Sequence, residues 1–529
     1  MAEYKPGDIP LAETDDRKLC CKFHYKGVLI LLIPIAFGGL LAGKPVLIYR
    51  FLYLTICLYL YYILNVMASG AVAFIYITFI PIAGIAGSGP VSFSHYPDLM
   101  FLVYGTIMMG AVMDSSKLSQ HLGFAVIRIV GSSFFWLQVL LAVVVSTIAI
   151  LVNPTVGAAF GMKLAQAVVN EYNDANVIKR DSDEEPYEQG ARAYPTRPVI
   201  GIFLTCCYTA SLAASVSPFV NPNGILIKYS IKMEHIIMIM ALPAFLGICI
   251  VILWLQILFM GLFGGSVKRD LAEMAENKED FRLTVEEKRM DMGHWNAYAI
   301  LVFILILILF VLLHTRRPHL YVAWENVGNG VETGLSIPAI FIGLLLFAIP
   351  ANYLFCRYYV CREPDKPGTT PSLLSWKTLN NNVPWEDIFM LGAAFCCVFC
   401  GLKSGFYAKV AESMWGSKRF DLSRFMCGAG MGTLLSALSP STTLAKMAVP
   451  VMKRAGYSFA LPFMTALHNQ FLLPISSPAN MIVAGWGNIR PFQFLLAGIV
   501  PAIFFMLLTA ASTMLCFDEV VSKGINSKF

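Results

Sequence analysis

Apolar residues run along this chain in long blocks separated by short polar segments. A block of roughly 20 apolar residues is what one helix needs to cross the hydrocarbon core of a bilayer. Blocks of that kind occupy 27–43, 45–66, 70–88, 98–114, 196–216, 234–264, 297–314, 335–356, 385–403, 458–486 and 491–516. The pattern therefore predicts an all-α polytopic membrane protein with about 11 spanning helices. Two further stretches, 134–168 and 427–452, are apolar but carry a proline-centred polar tip, Asn153-Pro154-Thr155 in one and Ser439-Pro440-Ser441-Thr442 in the other. We read them as re-entrant hairpins. Each is followed by a second interruption, Asn221-Pro222-Asn223 and Ser477-Pro478-Ala479-Asn480. Inside a bilayer, broken helices survive only where protein or a polar cavity covers the freed backbone groups, and breaks at matching positions of two halves point to a transporter's binding site.

The halves correspond elsewhere too. Asp98-Leu-Met-Phe-Leu-Val-Tyr-Gly105 resembles Asp387-Ile-Phe-Met-Leu-Gly392, each introducing the helix before a hairpin. The expected organisation is a cytosolic N-terminus (1–26), an extra first helix (27–44), a first repeat (45–264), a cytosolic amphipathic linker (265–296), a second repeat (297–516) and an extracellular C-terminus (517–529). An odd number of crossings per repeat inverts the second against the first and places the site at their interface near the midplane.

Composition agrees with this reading. The chain has 529 residues, 57% hydrophobic and 14% charged, against roughly 25% charged in soluble domains. The formal net charge is only +6. Its placement says more, because Lys268, Arg269, Lys278, Arg282, Lys288 and Arg289 gather in the 265–296 linker, as cytosolic segments require. The first apolar block follows a polar leader without a small-residue cleavage site and is read as a retained helix. The segment 171–196 is an acidic cytosolic loop. Cys397 and Cys400 form a lone CxxC without further ligands, so no metal is expected, and buried cysteines act as small hydrophobes. No Asn-x-Ser/Thr sequon with a permitted middle residue occurs. Neither a base–nucleophile constellation nor a nucleotide-binding glycine motif nor a nucleic-acid patch is visible, so neither an enzyme nor a nucleic-acid partner is expected.

The chemistry sits at the breaks. Helix N-termini carry partial positive charge and free N–H groups that attract anions, while unwound carbonyls and helix C-termini coordinate small cations. Asn153, Thr155, Ser439, Ser441, Thr442 and Thr443 add neutral donors and acceptors. Two such tips facing each other suit a ligand with two negative ends.

The segments Ser-Leu-Ala-Ala-Ser-Val-Ser-Pro-Phe-Val-Asn-Pro-Asn (211–223) and Phe-Leu-Leu-Pro-Ile-Ser-Ser-Pro-Ala-Asn (471–480) resemble "GTATLTGTPPN" and "FMLPVATPPN" of the divalent anion/sodium symporter family. The hairpin tips resemble its two Ser-Asn-Thr motifs, and Val383-Pro-Trp-Glu-Asp387 with Ser404-Gly405 matches its "PW…LLLGGG…SGL" stretch. The resemblance implies alternating access by a transport domain moving against a scaffold, sodium as coupling ion, a homodimer and a place in the plasma membrane. It implies substrate contacts at Asn153, Thr155, Ser439, Ser441, Thr442, Ser477 and Pro478, and cation contacts at Asn153, Ser217, Asn223, Ser439, Ser476 and Asn480. No other cofactor is implied. The chain departs from the family pattern at Pro440, which stands where the family has asparagine, and at Ala213 and Ala214, which replace glycines.

Two lysines bear on coupling. Lys446 lies roughly 9 Å along its helix from the second tip and is read as a possible substitute for a sodium charge, whereas Lys163 is expected to snorkel toward the interface. His468, with Asn469 and Gln470, precedes the second break and is read as a packed histidine. The expected function is secondary active transport of small divalent organic anions such as succinate or citrate, either sodium-coupled or cation-independent. A sulfate carrier or a non-transporting sensor with the same fold is the alternative.

Overall fold

Backbone polar groups in a bilayer must be satisfied internally, which leaves helices or closed barrels. In the computed structural model of this chain every regular element among the described residues is helical, with only two isolated bridges, Asp181–Pro195 and Pro350–Ser372. The structure describes residues 16–182, 192–217, 220, 223–228, 231–261, 278–316, 323–324, 333–362, 368–413, 422–452, 457–517 and 519–520. Most of the N-terminal segment, the linker before Lys278, the C-terminal 521–529 and the Asn221-Pro222 pair lie outside them.

The first half comprises α1 (Asp16–Phe37), α2 (Val46–Ile63), α3 (Ser69–Ile82), α4 (Ser88–His95), α5 (Asp98–Ser115) and α6 (Leu118–Val130), then α7 (Phe134–Leu151), α8 (Pro154–Asp174), α9 (Arg197–Ala214), α10 (Asn223–Lys228) and α11 (Met233–Phe259). A connecting helix, α12 (Lys278–Met292), follows. The second half runs α13 (Ala297–His314), α14 (Ser336–Ala348), α15 (Leu354–Tyr359), α16 (Trp376–Asn382), α17 (Trp385–Lys403) and α18 (Phe406–Ser413). It ends with α19 (Leu422–Leu438), α20 (Ser441–Met452), α21 (Tyr457–Ala466), α22 (Pro478–Gly487) and α23 (Pro491–Leu515).

Among the described residues nine helices are long and apolar enough to cross a membrane, and one of these is the hairpin arm α7. Three of the expected spans take other forms. The 70–88 block is the 14-residue α3 followed by a turn, the 335–356 block is the 13-residue α14, and the 458–486 block is split into α21 and α22. Both proline-tipped stretches are helical hairpins, α7–α8 and α19–α20, turning at Asn153 and at Ser439-Pro440.

The two halves pack in parallel ways. Each hairpin's first arm lies on the broken helix that follows it, α7 on α9 and α19 on α21, and the last helices of the halves, α11 and α23, lie against each other. Each hairpin is also braced by the opposite half. Tyr59 on α2 donates its hydroxyl to the Leu438 carbonyl at the second tip, and the His314 ring at the end of α13 donates to the Leu151 carbonyl at the first, 2.6 Å away. Tyr208 on α9 reaches the Phe471 and Phe494 carbonyls at 2.9 and 3.2 Å, pinning the first broken helix to the second. The α12 linker docks through Lys288, which pairs with Asp174 and Glu171 near the end of α8 at 2.8 and 3.3 Å, where a cation also complements the helix dipole.

Small residues let helices approach where no hydrophobic drive between them exists. A Cβ on Gly432 of α19 would stand 2.5 Å from the Phe463 carbonyl oxygen of α21, whereas a Cβ on Gly430 would meet nothing. Gly432→Ala should therefore destabilise the purified protein by roughly 1–3 kcal/mol through overpacking. Gly430→Ala should be neutral or slightly stabilising through helix propensity. Melting temperatures in detergent compare the two, and equal effects would refute the close approach.

Candidate substrate site at the helix breaks

The local sequence starts three helices at one place. Pro154 and Pro478 stand at the first helical positions of α8 and α22, where a missing N–H costs nothing and the fixed φ suits the helix. Asn153 caps α8, its Oδ1 accepting from the Thr155 N–H at 2.9 Å, and Ser477 caps α22, its Oγ accepting from the Asn480 N–H at 3.1 Å. Pro440 stands one position earlier, just before the first residue of α20, and its carbonyl accepts from the Leu444 N–H at 3.0 Å.

These N-termini converge on a cavity of about 40 Å³ lined by Asn153, Pro154 and Thr155, by Ser441 and Thr442, by Ser477, Pro478 and Ala479, and by Ser211, Ala214, Val220, His468, Gln470, Leu99 and Leu335. That is room for about three waters. No Asp, Glu, Lys or Arg is among these residues. The field in the cavity therefore comes from helix ends, each worth about half a positive charge, and from neutral donors. The arrangement can hold an anion at both ends without fixing a counter-charge beside it.

Behind the lining, the breaks are mended by amides. In the first, Asn223 Nδ2 donates to the Ser215 and Ser217 carbonyls at 2.8 and 2.9 Å, and its Oδ1 accepts from His468 Nε2 at 2.9 Å. In the second, Asn480 Nδ2 donates to the Gln470 carbonyl at 2.6 Å and to Ser476 Oγ at 3.0 Å. Each break is also tied to its own tip: Ser217 Oγ donates to the Ile150 carbonyl at 2.6 Å, and Gln470 Nε2 donates to Ser441 Oγ.

Of the expected substrate contacts, Asn153, Thr155, Ser441, Thr442, Ser477 and Pro478 come together in the cavity. Ser439 does not line it. Its Oγ donates to the Leu435 carbonyl at 2.9 Å, one turn back in α19. Ser217, Asn223, Ser476 and Asn480 are buried around the breaks, and Ser476 Oγ donates to the Leu473 carbonyl at 2.6 Å. Lys446, read as a possible charge substitute, is exposed and is not among the residues that line the cavity. His468, Gln470 and Ser211 line the site without having been assigned to it. Position is their signal in the sequence, since His468 and Gln470 follow the end of α21 within four residues and Ser211 lies within one turn of the end of α9.

Lys163 also corrects an expectation. It does not snorkel. Its side chain is 4% exposed, its Nζ lies 2.6 Å from Asp114 Oδ2 and sits 4.1 Å over the Trp486 ring. Ser119 Oγ donates to the other Asp114 oxygen at 3.0 Å. The pair ties α5 to α8 and, through the indole, to α22.

Comparison with known proteins fits this geometry. A sequence profile described as citrate transporter matches residues 59–469. The chain belongs to this family of divalent anion/sodium symporters. Its members are membrane transporters, not enzymes. The chain is similar to the protein I'm not dead yet of Drosophila melanogaster, 25% identical over 95% of this chain and 90% of that protein. It is similar to the sodium-dependent high-affinity dicarboxylate transporter 3 of Caenorhabditis elegans, 20% identical over 91% of this chain and 85% of that one. It is also similar to the Na(+)/citrate cotransporter of Mus musculus, 20% identical over 92% and 93%.

The Asp114–Lys163 pair yields an asymmetric prediction. Asp114→Asn leaves a deeply buried ammonium without its carboxylate and should cost roughly 1–3 kcal/mol, less than a fully buried pair because Asp114 is itself 40% exposed. Lys163→Met keeps the packing on Trp486 and leaves only a half-exposed carboxylate, so it should cost within about 1 kcal/mol. Thermal unfolding of both variants checks the order, and the reverse order would contradict the burial.

Proposed function

We propose that this protein is a secondary active transporter that carries small carboxylate dianions, succinate or citrate in type, across the membrane by alternating access. The observation that carries the reading is the cavity at which the N-termini of α8, α20 and α22 meet with no ionised residue in the lining. A dicarboxylate would place its charged ends against opposite tips, Asn153 and Thr155 on one side and Ser441, Thr442 and Ser477 on the other. The cavity is smaller than such a substrate, which fits a closed stage of the cycle between two open ones.

Sodium is the coupling ion that the names of the nematode and mouse relatives support, with Asn223 and Asn480 at the two breaks as the residues nearest the chemistry it needs. The inverted repeat is supported by the paired hairpins and by their crossed bracing from α2 and α13. We read the hairpins as re-entrant, the α12 linker and the N-terminus as cytosolic, the C-terminus as extracellular, the membrane as the plasma membrane and the assembly as a homodimer.

Uptake of labelled succinate, citrate and sulfate into expressing cells, with sodium or choline outside, tests the assignment. Succinate or citrate should accumulate in preference to sulfate. Changing both Asn153 and Thr155 to alanine should reduce that uptake at least tenfold without lowering surface expression, and unchanged kinetics would remove the first hairpin from the site. An epitope at the C-terminus should bind antibody on intact cells; labelling only after permeabilisation would overturn the topology.

A further inference from the structure

The two breaks are built alike but are not equally occupied. Each uses an asparagine whose Nδ2 mends the broken backbone, Asn223 in the first and Asn480 in the second. In both, carbonyl acceptors facing Nδ2 fix which way the amide lies, so in both it is Oδ1 that remains to receive a partner. At Asn223 that partner is present: His468 Nε2–H donates to it at 2.9 Å. The Asn153 Oδ1 in the same half is likewise engaged, by the Thr155 N–H. At the second break, Asn480 Oδ1 is buried with no hydrogen-bond partner among the described residues, and so is Oδ1 of Asn469, three residues before the Leu-Leu-Pro of that break. Both residues are fully buried. A buried amide oxygen left alone is costly, and such a group in a native structure calls for an explanation, a bound ion among them.

We propose that His468 takes the place of one coupling cation. Its Nε2–H supplies to Asn223 Oδ1 the electropositive partner that a cation at the first break would supply, and it occupies the direction from which that cation would approach. One cation position remains, at the second break, where Asn480 Oδ1 lies. The imidazole replaces the ligand contact and not the charge, so each cycle carries one cation fewer than a carrier with both positions open. His468 reaches across from the second half to the first, so the substitution comes from the partner repeat and not from the broken helix it completes. Pro440 acts in a different place: it alters a tip, whereas His468 closes a break. The inference rests on the sodium-coupled reading above.

The test measures bound sodium independently of transport. A ligand that binds only the folded protein stabilises it by RT ln(1 + [L]/Kd) per site. Above saturation, the dependence of stability on the logarithm of sodium concentration therefore counts the ions bound. The purified full chain is melted across a sodium chloride series, with choline chloride holding ionic strength constant. Wild type should give a slope of about one ion, His468→Ala about two, and Asn480→Ala about zero. His468→Gln keeps an N–H donor toward Asn223 and should stay near one. Sodium activation of labelled citrate uptake should follow the same order, with a Hill coefficient of about one in wild type that rises in His468→Ala. A wild-type slope near two, a wild type indifferent to sodium, or a folded His468→Ala that remains near one would each overturn the proposal. Should His468→Ala not fold, the wild-type slope and its loss in Asn480→Ala decide the matter. Absence of carboxylate uptake at every sodium concentration would sink the transport reading alone, because the melting slopes still report the ions.

Discussion

An interrupted helix inside an apolar slab leaves backbone N–H and C=O groups that no water can reach, and every feature of this site answers that constraint. The cost of an unmade backbone hydrogen bond in such surroundings is several kcal/mol, too much to leave to chance at two breaks. Here asparagine amides bridge the gaps, because one Nδ2 can donate to two acceptors at once, as Asn223 does to the Ser215 and Ser217 carbonyls and Asn480 to the Gln470 carbonyl and Ser476 Oγ. Once the amide nitrogen is spent on the backbone, the amide oxygen is turned outward. Mending the chain and orienting the amide oxygen are thus one arrangement.

The same economy governs the tips. A helix beginning in mid-membrane needs its first N–H groups satisfied, and Asn153 and Ser477 satisfy only part of them. What remains points into the cavity as donor capacity for an anion. The carbonyls at the other end of each tip are held by the opposite half, Leu438 by Tyr59 and Leu151 by His314. The tips therefore sense the position of the helices that do not form the cavity. A displacement of either hairpin relative to α2 or α13 must exchange these hydrogen bonds, and the Asp114–Lys163 pair between α5 and α8 must either travel with the motion or part.

How much of this the sequence discloses depends on whether the feature is local. Prolines and asparagines inside apolar blocks are unmistakable because they violate the pattern around them, so both hairpin tips and both breaks are legible, as are most of the cavity residues beside them. Helix length is less so: α3 and α14 sit in apolar blocks long enough to span, but Pro81 near the end of one and the turn after Ala348 in the other shorten the helix without shortening the hydrophobicity. Partners distant in sequence are not legible at all. Nothing near Lys163 announces Asp114, 49 residues earlier. Lys446 shows a different limit. Its distance along α20 follows from the rise per residue, but whether it meets the cavity depends on rotation about the axis. Leu444, Ala445 and Ala448 take the buried face of that helix, and Lys446 shares the exposed face with Pro450 one turn on.

A carrier must release what it binds, and this limits how an anion can be held. A buried lysine or arginine beside the carboxylates would bind through a full charge in a medium of low dielectric, and that charge would be left desolvated once the substrate departed. Helix N-termini avoid the difficulty, because their partial charges are already neutralised along the helix and persist at little cost in the empty site. Lys163, a buried positive charge on α8, is kept out of the cavity by Asp114 and the Trp486 ring. The neutrality of the lining is therefore a requirement of turnover. The histidine N–H that His468 gives to Asn223 keeps to the same rule, adding a donor at the first break without a carboxylate or ammonium in the lining.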